Sequence, residues 1–138
     1  MSENPEEEVK ILRLTLHGKL VGYLAGFSNG RNVLSFADTF RGDPNRPTFS
    51  LITHPLFPNS PALLAEPWTR NQRLHPILSN LLPEGALREL IAQNLKVHVD
   101  NEFTLFFHLG DDLPGALVAS PLEPDEVPEN VLAGYGKA

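Results

Sequence analysis

The sequence predicts an α+β fold: a small antiparallel sheet of four to five strands with two to three helices packed on it. Two observations lead there. The first third alternates apolar and polar residues in short runs broken by turn-forming residues, the pattern of antiparallel hairpins. Beyond residue 75, longer stretches place apolar residues at helical spacing, and one more strand-like run closes the series. Strands, then helices, then a strand is the order of a sheet with its helices segregated, not of repeated βα units. At 138 residues the chain is the size of one ordinary domain and can bury a core without staples.

Each element has its own warrant. In "VKILRLTLHGKLVGYLAGF", Val9, Ile11, Arg13 and Thr15 alternate with Lys10, Leu12, Leu14 and Leu16, so one face is the more apolar. His17-Gly18-Lys19 is the turn, and Leu20 to Phe27 returns as the second strand. "SNGR" is another turn and "NVLSFAD" a third strand. "RGDPNRP" breaks the chain, and "TFSLITH" reads as a fourth strand. The passage "PLFPNSPALLAEPWTRNQ" carries Pro55, Pro58, Pro61 and Pro67, which forbid regular structure for long, and reads as a loop. A short helix is expected from Pro76.

"PEGALRELIAQNLKV" is the clearest helix. Pro83 suits a first helical position and Glu84 the positive end of the helix dipole. Leu87, Leu90, Ile91 and Leu95 share one face, expected to face the core, with Arg88, Glu89 and Gln93 opposite. Gly85 is expected to permit a close backbone approach. A further helix follows Asp100 as N-cap, with Glu102 in its first turn, Phe103, Phe106 and Phe107 inward, and Gly110 ending it in a left-handed conformation. "GALVAS" is a closing strand.

The net charge of −6 is not one field. Glu3, Glu6, Glu7 and Glu8 crowd an acidic head, residues 1–8. Glu123, Asp125, Glu126 and Glu129 sit in an acidic, proline-rich tail, residues 121–138. The body between them, residues 9–120, is about neutral and has no basic stripe, which argues against direct nucleic-acid binding. With no cysteine, disulfides and thiolate metal sites are excluded. The acidic head is unlike a signal peptide and no apolar run matches a membrane span, so a cytoplasmic protein is expected.

Little in the chain points to chemistry of its own. Gly26 and Gly30 join strands and do not open a helix, so they do not cradle a phosphate. The five histidines have no ligand spacing, and no metal or cofactor is expected. Asp111-Asp112 reads as a polar turn, Ser35, Ser50 and Ser79 lie in no nucleophile elbow, and Glu84 reads as a dipole partner. No catalytic residue is assigned. Trp68, the only tryptophan, has two readings: a loop residue folded back over the core, or an exposed anchor for a protein partner. Pro67 stiffens its approach, and Arg70 and Arg73 add the other residue type enriched in binding hot spots. Trp68, Pro67, Arg70 and Arg73 are therefore the candidate partner-binding residues.

The segments "LHGKLVGYL", "NGRNVLSFAD", "PTFSLITHPL", "SNLLPEGALRELIA" and "DNEFTLFFHLGDDLPGAL" stand in the order and spacing of the N-terminal subdomain of HipA-type toxin kinases. The resemblance covers roughly residues 9–120. Its most specific part is Asn-Leu-Leu-Pro-Glu-Gly followed 25 residues on by Gly-Asp-Asp-x-x-Gly-Ala-Leu. Leu113-Pro114 departs from the cysteine and alanine usual in the family, and the stretch around Trp68 matches no family motif. The chain is similar to the standalone small subunit, HipS-like, of tripartite HipBST toxin–antitoxin systems. The native-looking start and polar finish favour that over a fragment of a full-length kinase. The resemblance implies a non-enzymatic antitoxin that docks on a shortened kinase toxin, HipT-like, and neutralises it. A HipB-like protein would bind DNA in a ternary complex. A structural or activating subunit of the kinase is the alternative.

Overall fold

A computed structural model of the chain describes residues 9–27, 30–43, 67–113 and 117–126. Strands β1 (Val9–Leu16) and β2 (Lys19–Phe27) form the opening hairpin. Its turn places His17 at φ 53° and Gly18 at φ 78°, two consecutive left-handed residues, as a tight hairpin turn requires. Strand β3 (Arg31–Phe36) follows β2, β4 (Trp68–Asn71) adds to β3, and β5 (Leu117–Leu122) returns beside β1. The order is β4-β3-β2-β1-β5, antiparallel throughout. Four α-helices are described: α1 (Asp38–Arg41), α2 (Pro76–Ser79), α3 (Gly85–Leu95) and α4 (Glu102–Leu109). Single 3-10 turns lie at Gly110–Asp112 and Pro124–Glu126. The α+β arrangement is the one the sequence predicts, with α1 an additional single turn.

Strand alternation sorts the core. Leu12, Leu14, Leu24, Leu34, Phe36, Leu117 and Ala119 form one buried cluster with Ile77, Leu78 and Leu82, Ala92 of α3, and Leu105 and Phe106 of α4. The opposite sheet face carries a smaller buried cluster, Ile11, Tyr23, Ala25 and Val33. Both faces are therefore apolar near the middle of the sheet. A bulge between Leu14 and Thr15 leaves Val21 as the extra residue, and its carbonyl accepts the Ala37 N–H at 2.9 Å.

A buried charge ties the helices together. The Glu102 side chain is 0% exposed and the Arg88 side chain 13%, and they pair at 2.8 Å. Glu102 Oε1 accepts the Leu74 N–H at 2.8 Å, and Oε2 accepts the Ser79 hydroxyl at 3.0 Å. Arg88 Nε donates to the Pro83 carbonyl at 2.9 Å. Both Glu102 carboxylate oxygens accept hydrogen bonds, the condition under which a buried charge is tolerated.

Several expectations are corrected. Helix α3 starts at Gly85 with Glu84 as N-cap, two residues after Pro83. Gly85 serves its own φ of 65°, because a Cβ there would meet open space. Of the face expected to enter the core, Leu87 and Leu90 do not, at 55% and 53% exposed, whereas Ile91 and Leu95 are partly buried against it. Ala92 is the buried residue of this helix and Arg88 points inward, since pairing Glu102 outweighs the helix's apolar count. The N-cap of α4 is Asn101, whose Oδ1 accepts from Thr104, and not Asp100. Gly110 closes α4 at φ 14°, ψ −81°, outside the left-handed region; a Cβ there would lie 3.0 Å from the Ala119 carbonyl. Trp68–Asn71 is strand, where the prolines before it predicted continued loop. The expected strand "TFSLITH" and the acidic head lie outside the described residues.

Candidate partner-binding surface

The short strand β4 lies at one edge of the sheet. Its register sets Trp68 opposite Leu34 and Arg70 opposite Asn32, so these two side chains share the face toward the helices. Trp68 is half-buried. Its ring meets Phe36 edge-on at 5.0 Å and lies 4.4 Å from the His75 ring. The two readings of Trp68 thus meet in one geometry: one side of the indole packs on the core and part of it reaches solvent. Pro67, Arg70 and Arg73 are all exposed.

The chain after β4 is tightly held. Gln72 N–H donates to the Gly30 carbonyl at 2.8 Å, and Asn32 Nδ2, itself buried, donates to the Arg73 carbonyl at 3.2 Å. The next residue, Leu74, is bound by Glu102. Arg73 sends its guanidinium to Asp100 at 2.8 Å across an exposed pair. His75 caps α2, its Nδ1 accepting the Ile77 N–H at 3.1 Å, which requires a neutral ring there. Burial, and then the neighbouring Arg70 charge, lower its pKa from the ordinary 6.5.

The structure therefore brings Pro67, Trp68 and Arg70 onto one strand edge, with His75 against the indole. Arg73 lies two residues past the strand and turns to Asp100. Sequence reading missed His75, Asn32 and Glu102 as the groups that hold this stretch. The His-Pro step opening α2 was the available signal for His75; the other two look like ordinary polar residues in sequence. Elsewhere, the Ser79 hydroxyl is engaged with Glu102, Ser35 is buried in β3, and Ser50 lies outside the described residues. Among the described residues no group of three or more His, Cys, Asp or Glu could hold a metal ion. No helix among them is long and apolar enough to cross a membrane.

Two Sinorhizobium fredii (strain NBRC 101917 / NGR234) proteins, each named a putative kinase, are similar. Y4dM is 37% identical over 121 residues, covering 88% of this chain and 29% of that protein. Y4mE is 30% identical over 119 residues, covering 86% and 26%. The chain thus spans less than a third of the length of either relative. The sequence profile described as the HipA N-terminal domain matches residues 12–120. The chain belongs to the HipA N-terminal domain family.

Proposed function

We propose that this chain is a non-catalytic binding subunit that docks on a shortened HipA-type kinase and neutralises it in the cytoplasm, as a HipS-like antitoxin. The observation that carries this reading is Trp68 at the sheet edge, braced by Phe36 and His75, with exposed Pro67, Arg70 and Arg73 around it. A rigid, partly exposed aromatic ringed by polar groups is the anatomy of an interface hot spot, and prior fixation lowers the ordering cost of binding. The indole is suited to enter a cleft between the kinase lobes and block closure. A HipB-like DNA-binding protein would join as a third component.

The length relation to the kinase-named relatives favours a second reading, in which the domain is a structural or activating part of a kinase. Co-expression with a HipT-type kinase distinguishes the two, with growth and complex formation by size exclusion as readouts. Neutralisation predicts growth rescue by the wild type and loss of rescue with Arg70→Glu, whose exposed side chain leaves stability unchanged. Trp68→Ala loses rescue as well, but it also removes core packing and costs about 1–3 kcal/mol. A stable complex without rescue establishes the second reading, and absence of any complex overturns both.

A further inference from the structure

Four aromatic rings stand in series: Phe40 of α1, Phe36 of β3, Trp68 of β4 and His75 at the start of α2. Phe40 and Phe36 stack at 5.8 Å, Phe36 meets Trp68 edge-on at 5.0 Å, and Trp68 lies 4.4 Å from His75 at a tilt of 32°. The last ring of the series is the member that can take up a proton. It also has two tasks at once. Its face braces the indole, and its Nδ1 lone pair accepts the Ile77 N–H at 3.1 Å.

The backbone under this ring is pinned. The His75 carbonyl accepts the Leu78 and Ser79 N–H groups, both at 2.8 Å, and the proline after it keeps His75 extended at ψ 144°. Leu74, just before it, is tied to Glu102. A change of charge on His75 therefore acts through its side-chain torsions, and the side chain lies against Trp68. The charged group that bears on the ring is Arg70, from β4. Arg73 turns to Asp100, Glu102 is engaged with Leu74, Ser79 and Arg88, and α2 itself carries no charge.

We infer that His75 is the positioning residue of the Trp68 anchor and that its proton is a switch: the neutral ring holds the indole, and the protonated ring releases it. Protonation turns Nδ1 into a donor facing the Ile77 donor, so the cap is lost and the ring rotates away from it. Attraction of a cationic ring for the indole face acts in the opposite sense. Burial, and then the Arg70 charge, oppose the cation, and the net direction is a lowered pKa. The switch therefore works below 6.5 and leaves the neutral, holding form above it. Its consequence, weaker docking on the kinase in acid, rests on the reading of Trp68 as the anchor. The switch itself lies within this chain.

Trp68 is the only tryptophan, so indole emission reports this site alone. Expected in the full chain is a fall in emission as pH drops below 6.5, with far-UV circular dichroism unchanged. The reason is that a protonated imidazole quenches an indole it touches, and a released indole meets water. His75→Phe keeps a ring against the indole with no proton to take up, and His75→Asn keeps a capping oxygen; both should give flat profiles. A wild-type profile flat down to about pH 5, or one that either variant repeats, overturns the inference. So does a fall in emission that coincides with loss of the dichroism signal. With a HipT-type kinase present, wild-type affinity should fall relative to His75→Phe by up to about tenfold per pH unit below the lowered pKa. Equal pH dependence of the two proteins also overturns the inference. Absence of binding at neutral pH instead overturns the docking reading of Trp68, on which the emission profile does not depend.

Discussion

Glu102 is the residue on which the helical half of the domain turns. It receives the Leu74 amide, the Ser79 hydroxyl and the Arg88 guanidinium, so β4's exit, α2, α3 and α4 meet at one carboxylate. Arg88→Ala would leave that charge buried and unpaired, and the expected cost is about 3–5 kcal/mol in chemical denaturation. Glu102→Leu with Arg88→Met should recover only part of it, because the Leu74 amide and Ser79 hydroxyl lose their acceptor. His75 adds a pH dependence. Its pKa is lowered in the fold, so the folded state binds the proton less well than the unfolded one. The stability is intact above the ordinary value of 6.5 and is lost as pH falls below it towards the lowered one. Protonation also takes the acceptor from the Ile77 amide and puts a cation near Arg70. Urea midpoints measured at successive pH values should fall in that range for the wild type. They should fall less for His75→Asn, which keeps a capping oxygen without titrating; an identical slope would remove His75 as the cause.

At the level of elements, helix α3 packs on the core through Ile91, Ala92 and Leu95 and is tied to α4 by Arg88, with Gly85 at its first position in a left-handed conformation. Gly85→Ala should therefore destabilise by about 1 kcal/mol through backbone strain alone, with Gly85→Asn costing less, both read from thermal melts. The sheet was legible in sequence because alternation and the His-Gly turn are local, and the hairpin forms where they place it. The orientation of α3 was not. Leu87 and Leu90 outvote Arg88 in any count of hydropathy, yet the tertiary position of Glu102 draws Arg88 inward beside Ile91 and Ala92 and leaves the two leucines exposed. Strand β4 was hidden for a related reason. Four residues after a proline-rich passage carry no period, and their pairing with β3 is a long-range contact. Trp68 itself was legible as a candidate from its residue type and neighbours, whereas the His75 ring beside it is a product of the fold.

For the whole molecule, the sheet order separates two roles. The strand carrying Trp68 and the strand that ends the ladder, β5, are opposite edges, four strand spacings or roughly 19 Å apart. A chain continuing beyond β5 thus leaves from the side away from the candidate contact. Membership in the HipA N-terminal domain family and the shorter span relative to the Sinorhizobium proteins make this geometry relevant to how such a domain is attached.

The pairing of Ile11 with Leu122 has one more consequence. The start of β1 and the end of β5 lie side by side, so the described chain enters and leaves the sheet at a single corner. A covalent tether at that corner can be present in one protein and absent in another without a single backbone hydrogen bond of the sheet changing hands.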